Sequence, residues 1–401
     1  MVERGLVGFF ENFVGRESVF LNKKALQSTY TPDAMLHRNE QIQKIAEVLA
    51  PSLRKDRPSN IFIYGKTGAG KTLCVKHVTK NLTTVAAAKN IPLMALYVNC
   101  KLKRTADTEY RLLAQLASMF GKAVPPTGLP TDEIYKIFYS AVESKNHNII
   151  LVLDEIDQLV RKAGDGVLYN LTRINDDLKT SQISIVGISN DLMFAETLDP
   201  RVRSSLSEEE VIFPPYNAMQ IRDILRERAK AAIKPGVLQE GVIEKCAAYA
   251  ARDHGDARRA IELLRVSAET AERKNQSTVT TEHIDEAEQN IEKDRIFEIV
   301  EMQPKQYQAT LYAIISLSGK KDAIFTGEIY DLYKGICSKT GLRPLTQRRI
   351  SDVLAELDVF GIINARVISK GRYGRTREIS TQLDNSVKAK ITGVLRESLG
   401  I

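Results

Sequence analysis

Residues 65–72 read GKTGAGKT, and no other stretch limits the fold of this chain so tightly. The pattern G-x-x-x-x-G-K-T follows the strand-like run NIFIY and precedes the helical TLCVKHVTKNL. Glycines at 65, 68 and 70 let backbone N–H groups curl around an anion with no Cβ in the way. A helix starting near Lys71 aims the positive end of its dipole at the same point. Lys71 would add a full charge at the β- and γ-phosphates of a nucleotide, and Thr72 a hydroxyl for Mg²⁺. The candidate nucleotide-binding set is therefore Gly65, Lys66, Thr67, Gly68, Ala69, Gly70, Lys71, Thr72 and Leu73. A strand, a tight loop and a helix in this order call for a parallel sheet around them.

That sheet is written in four short apolar runs, NIFIYG, PLMALYVNC, NIILVLDEID and ISIVGISN, separated by segments of helical period. Runs of this length bounded by polar residues read as strands buried on both faces. Before them NEQIQKIAEVLAPSL puts Ile42, Ile45, Ala46 and Leu49 on one helical face. Residues 1–18 are set aside as an N-terminal segment, and 19–214 read as an α/β domain. The third run ends in carboxylates: Asp154 falls at the strand tip, within reach of a Mg²⁺-bound phosphate, and Glu155 is placed to polarise an attacking water.

At Phe213–Asn217 the sequence FPPYN breaks the alternation, and Tyr216 within it is counted with the nucleotide-binding residues. Residues 215–295 are helical in period throughout. From 296 to 401 come further helix-length segments and then a strand–turn–strand pattern, INARVISKGRYGRTREISTQL. At 401 residues, two or three domains are expected. No apolar run approaches the ~20 residues of a membrane span, so no membrane partner is expected. Cys74, Cys100, Cys246 and Cys337 are far apart, which argues against a disulfide framework or a zinc site and fits a reducing, cytoplasmic setting.

Charge is unevenly placed. Residues 300–401 hold 16 Lys and Arg against 10 Asp and Glu, which is +6 of the net +7. Within them Ile350, Val353, Leu354 and Leu357 form a helical core stripe, with Thr346 as its expected N-cap. Gln347, Arg348 and Arg349 follow at the helix start, where a recognition helix meets base edges. Cations there oppose the helix dipole unless an anion binds them. After the helix, Lys370, Arg372, Arg375 and Arg377 surround Tyr373 and two turn-forming glycines. A helix followed by a basic hairpin is the pattern of a winged helix, and double-stranded DNA is the expected partner.

The order of these features is similar to the AAA+ ATPases: the lysine loop, LVLDEID, SIVGISN, LDPRVRSSL and then a helical domain with GDARRA. The resemblance implies that Asn190 helps orient the water and that Arg258 is a lid arginine reaching the nucleotide. It implies Arg201 as the finger directed at a neighbouring subunit, with Arg203 as a rival. The whole chain resembles the archaeal replication initiators related to the eukaryotic origin recognition complex and its helicase-loading cofactor. LHRNEQI, LYNLTRIND, LDPRVRSSLSEEEVIFPPYN, TQRRISDVLAELDVFGI and GRYGRTREI carry the likeness. It implies a parallel-sheet AAA+ core with a phosphate loop, a helical lid and a C-terminal winged helix. It also implies slow, Mg²⁺-dependent ATP hydrolysis, with ATP and ADP as a conformational switch. The implied work is binding origin DNA at the nucleoid and recruiting the replicative helicase, with paralogous initiator subunits as further partners. His37 and Arg38 would lie at or near the base, and Lys122, in a loop after the second strand, would touch DNA. A branch-migration type of DNA-remodelling motor and an ATP-switched transcription regulator are the alternatives.

Overall fold

The computed structural model describes residues 17–27, 30–32, 34–101, 108–125, 128–206, 208–253, 255–318, 324–369, 375–381, 383 and 385–401. The chain divides into two compact units, Met1–Ile284 and Asp285–Ile401. In the first, β1 (Asn60–Gly65), β2 (Leu93–Asn99), β3 (Asn148–Asp154), β4 (Gln182–Ser189) and β5 (Glu208–Phe213) form a parallel sheet in the order β2-β3-β4-β1-β5. Alternation along β1 assigns its side chains to two cores. Ile61 and Ile63 pack with Ile45, Leu49, Val75 and Val78 on one side, and Phe62 and Tyr64 with Leu151, Leu153 and Phe194 on the other. Burial on both faces explains why β1 is apolar almost throughout.

The fifth strand was not expected from the sequence. Its residues EEEVIF start with three glutamates, a pattern that does not read as a buried strand. Pairing with β1 holds it at the edge of the sheet, with Ile63 opposite Val211 and Gly65 opposite Phe213. Edge strands tolerate charge because one side of the ladder faces outward.

Parallel pairing brings the functional loops to one edge. Asp154 stands opposite Ile188 and Tyr64 opposite Ser189, so β1, β3 and β4 end side by side. Their loops open into the crevice outside the carboxyl ends of the strands, where α/β sheets bind ligands. Between β2 and β3 the chain inserts two helices, Glu109–Met119 and Thr131–Glu143, that bury Leu112, Leu113, Leu116, Ile134 and Phe138. The Glu109 carboxylate accepts from the Tyr135 hydroxyl and from Asn170 Nδ2 at 2.9 Å, tying the insertion to the helix Gly166–Asp177.

Beyond the FPPYN break come the helices Ala218–Ala232, Val242–Arg252 and Ala257–Arg273. Asn217 and Gln220 form a reciprocal capping box at the first of them. Residues 18–26 pack against these helices: Phe20 bridges Ile233, and Ser18 donates to the Glu272 carboxylate. The helix Thr281–Met302 spans the division between the two units along the chain.

The second unit holds the helices Lys305–Ser318, Thr326–Thr340, Gln347–Val359 and Asn385–Leu399 around an antiparallel sheet of order β6-β8-β7. Its strands are β6 (Ile324–Phe325), β7 (Asn364–Ser369) and β8 (Arg375–Ser380). This is the expected helix-then-hairpin fold with two additions. Strand β6, two residues long, carries too little pattern to be seen in a sequence. The terminal helix buries Val387, Ile391, Leu395 and Leu399, four residues apart, in the same core as Ile350, Val353, Leu354 and Leu357. Among the described residues no helix is long and apolar enough to cross a membrane. All four cysteines are buried, and none of them is in a disulfide.

Candidate nucleotide site and nucleic-acid interface

The loop after β1 closes on its own lysine. Lys71 Nζ donates to the carbonyls of Gly65 (2.6 Å) and Lys66 (2.9 Å) and to Asn190 Oδ1 (2.8 Å), so the side chain spans the loop and the end of β4. It is 5% exposed. Burial pulls its pKa down to about 8; the Asp154 carboxylate acts against that and the Arg258 guanidinium adds to it. A cation held at this cost beside a loop of three glycines with positive φ is poised for an anion.

Thr72 Oγ1 donates to Asp154 Oδ2 at 2.9 Å, and the Tyr97 hydroxyl donates to the same oxygen. A hydroxyl and a carboxylate oxygen side by side are hard donors suited to Mg²⁺. Tyr97 escaped the sequence reading, because a tyrosine in an apolar strand looks like core. Burial and the Asp154 carboxylate both raise its pKa. Glu155 follows Asp154 in a left-handed conformation (φ 56°), which turns the chain sharply out of β3. Its carboxylate stands 3.8 Å from the exposed Lys101 ammonium.

These groups line one cavity of about 1020 Å³. That is at the upper end of small-molecule sites, which span ~300–1,000 Å³. Thr67, Gly68, Gly70, Lys71, Thr72 and Leu73 form one wall, with Asp154, Glu155 and Asn190 beside them. Tyr216 from the FPPYN break, Arg258 from the helical part of the same unit, and Tyr30, Met35 and Leu36 line the same cavity. Gly65, Lys66 and Ala69 serve instead through their carbonyls, which Lys71 and Arg38 bind.

His37 and Arg38, expected near the base, are not in the cavity lining, whereas Leu36 before them is. His37 pairs with Asp223 at 3.1 Å. Arg38 is 2% exposed: its guanidinium lies 3.8 Å from the Tyr216 ring centroid and donates to Ala69 O (3.0 Å) and Pro214 O (2.6 Å). It clamps the phosphate loop to the break between strand and helical parts, a role invisible in sequence because both acceptors are backbone. Arg201 and Arg203 lie on the helix Pro200–Leu206, exposed and outside the cavity lining, with Arg201 3.4 Å from Asp199.

In the second unit Thr346 caps the helix Gln347–Val359 by accepting from Arg349 N at 3.3 Å. Gln347, Arg348 and Arg349 are exposed there. Arg349 pairs with Asp352 at 3.5 Å, an exposed contact that water and salt weaken. Arg377 does not belong to the hairpin loop, as its place beside GRYGR suggested. It sits within β8 and donates to Ser351 O at 2.7 Å, tying the hairpin to the helix. Lys370, Arg372 and Tyr373 lie outside the described residues, and Arg375 opens β8. In the first unit Lys122 is exposed in the loop between the inserted helices, its N–H bonded to Ala117 O at 3.0 Å.

Three sequence profiles match the chain: an AAA domain over residues 54–192, a Cdc6 AAA+ ATPase-type lid domain over 222–289, and the C-terminal winged-helix domain of CDC6 over 298–388. The chain is 51% identical over 397 residues to an ORC1-type DNA replication protein of Pyrococcus furiosus, covering 98% of this chain and 93% of that one. With ORC1-type DNA replication protein 1 of Methanosarcina mazei it shares 52% over 382 residues, 94% of this chain and 91% of the relative. Among solved structures, the Aeropyrum pernix ORC1 protein in complex with DNA matches with a TM-score of 0.82 and 42% identity, over 95% of this chain and 98% of that one.

Proposed function

The chain belongs to the family of ORC1-type DNA replication proteins, and from that premise we propose that it is a replication initiator whose DNA contacts are set by a bound adenine nucleotide. What supports the nucleotide part is one observation: Arg258, from the helical part, faces the same cavity as Lys71 and Asp154 from the sheet. A triphosphate there touches both, so its binding free energy is coupled to the angle between them. Lys71 meets the β- and γ-phosphates, exchanging its carbonyl partners for phosphate oxygens. Thr72 and Asp154 hold Mg²⁺, which spreads positive charge over the same phosphates. Glu155 takes a proton from the attacking water, Asn190 orients that water, and Arg258 senses the γ-phosphate from the lid. Arg201 or Arg203 serves a neighbouring subunit. Hydrolysis is slow, and ATP and ADP act as alternative conformational ligands rather than as fuel for a motor.

DNA binding follows from the basic helix start and hairpin, and a relative at 42% identity has been solved with DNA. Thr346, Gln347, Arg348 and Arg349 meet the major groove. Lys370, Arg372, Tyr373 and Arg375 are the further DNA-binding residues of this domain, and Lys122 supplies a second contact from the nucleotide-binding unit. The DNA-bound protein then serves as the platform for the replicative helicase, alongside paralogous initiators at the nucleoid.

The test is binding to the organism's own genomic fragments at near-physiological salt, with footprinting of those enriched. Discrete protected sites, lost in Arg348→Ala/Arg349→Ala, are the expected result. Each phosphate contact removed should lower the slope of log affinity against log salt by about 1, whereas a lost base contact costs about 1–3 kcal/mol and relaxes sequence preference. Uniform, salt-labile binding with no preferred fragment would overturn the initiator reading.

Nucleotide affinity should also depend on pH through Lys71. Phosphates favour the charged ammonium, so its pKa is higher in the complex than the value near 8 in the free site. Binding is therefore at full strength below about pH 8 and weakens above it, by up to about tenfold per pH unit until the bound pKa is reached. Isothermal titration across pH 6.5–10 checks this, and Lys71→Arg should flatten the profile.

A further inference from the structure

The turn that presents Arg258 is itself seated on the phosphate loop. Asp256 starts the helix Ala257–Arg273 as its N-cap, its Oδ1 accepting from Arg258 N (2.8 Å) and Arg259 N (3.3 Å). The same oxygen lies against Gly68: a Cβ built there would stand 1.8 Å from Asp256 Oδ1 and 2.9 Å from Asp256 Cα. The G-x-x-x-x-G-K-T pattern does not ask for glycine at this position. The approach of Asp256 does, and so does a φ of +76°. A second close approach lies one residue before the cap. A Cβ on Gly255 would stand 2.3 Å from the Tyr216 carbonyl, and Tyr216 is stacked under Arg38, which also holds Ala69 of the loop.

Loop and lid thus meet where Asp256 rests on Gly68, its carboxylate held in place by the two cap bonds, while Gly255 brings the turn down onto Tyr216. We propose that Asp256 is a positioning residue: seated on Gly68, it registers Arg258 against the phosphate loop, so that lid and loop hold a bound nucleotide together and release it only when the seat parts. Only Ala257 separates Asp256 from Arg258, and the cap bonds make the helix start follow the carboxylate. A shift of the loop on filling or emptying is passed to the lid at this point. The proposal rests on the reading of Arg258 as the lid arginine.

The experiment is a chase of a fluorescent N-methylanthraniloyl ADP from the full chain, with the unliganded melting temperature recorded for each variant. Arg258→Ala should raise the off-rate about tenfold, the effect of losing one charge-assisted contact. Asp256→Ala should raise it similarly, and the double variant should be no faster than Arg258→Ala alone, because both substitutions remove one interaction. Asp256→Asn, whose amide oxygen still caps and still occupies the seat, should stay near wild type. A cap with no other role would lower the melting temperature and leave the off-rate alone. An Asp256→Ala off-rate equal to wild type beside a raised Arg258→Ala rate overturns this proposal only, as do effects that multiply in the double variant. An Arg258→Ala rate equal to wild type overturns the lid-arginine reading and this proposal with it. If Asp256→Ala does not fold, Gly68→Ala takes its place: a rate raised to the Arg258→Ala level supports the seat, and a wild-type rate overturns it.

Discussion

Replacing Lys71 by alanine should abolish nucleotide binding at any concentration normally used, a loss of at least about 100-fold. The residue is 5% exposed, and its ammonium makes three hydrogen bonds, two of them to the carbonyls that shape the loop. Charged hydrogen bonds of this kind contribute roughly 1.5–3 kcal/mol each, and the bonds to phosphate are lost along with those inside the loop. Asn190 Oδ1 loses its donor at the same time. Thermal denaturation with and without ATP provides the check. A ligand at 100 times its Kd stabilises the native state by about 2.7 kcal/mol. The wild-type chain should show that shift in melting temperature and Lys71→Ala none. A variant that unfolds near the wild-type temperature without ATP, yet still shifts with it, would remove Lys71 from the site.

Glu155→Gln should separate binding from hydrolysis. The amide keeps the shape of the side chain but cannot take a proton, and general-base catalysis contributes about 10²–10⁴-fold to such reactions. Single-turnover hydrolysis should fall by that order while ATP affinity stays close to wild type. The contact with Lys101 at 3.8 Å does not alter the expectation, because Lys101 is 72% exposed and such pairs add little. Hydrolysis at the wild-type rate would mean that another group activates the water.

Both expectations start from residues that the sequence already singled out, because their signals are local. Three glycines, a lysine and a threonine within eight residues specify a backbone shape and a charge almost regardless of the rest of the chain. An apolar run ending in Asp154 and Glu155 announces a buried strand and its exposed tip. In the same way Thr346 before Ile350, Val353, Leu354 and Leu357 contains both the start of a helix and the face it buries. Strand β5 was missed since its glutamates are tolerated only at a sheet edge, a property of neighbours rather than of the strand. The terminal helix was missed for a different reason: its apolar residues gain their meaning from a core built 40 residues earlier.

By itself the sequence determined the order of elements, the phosphate loop with its acidic partner, and a basic helix-and-hairpin at the end, all encoded within windows of about twenty residues. Only the tertiary structure decided which groups meet. It made Arg38, stacked over Tyr216, a clamp on the phosphate loop, a role the sequence could not show because its acceptors, Ala69 O and Pro214 O, are 31 and 176 residues away and carry no side-chain signature. It took Arg377 from the hairpin loop to the Ser351 carbonyl. It set Asp256 on Gly68, a contact between two stretches nearly 190 residues apart that neither stretch contains. Backbone carbonyls and missing Cβ atoms leave no mark in a string of residue names, and long-range contacts through them exist only once the chain has folded.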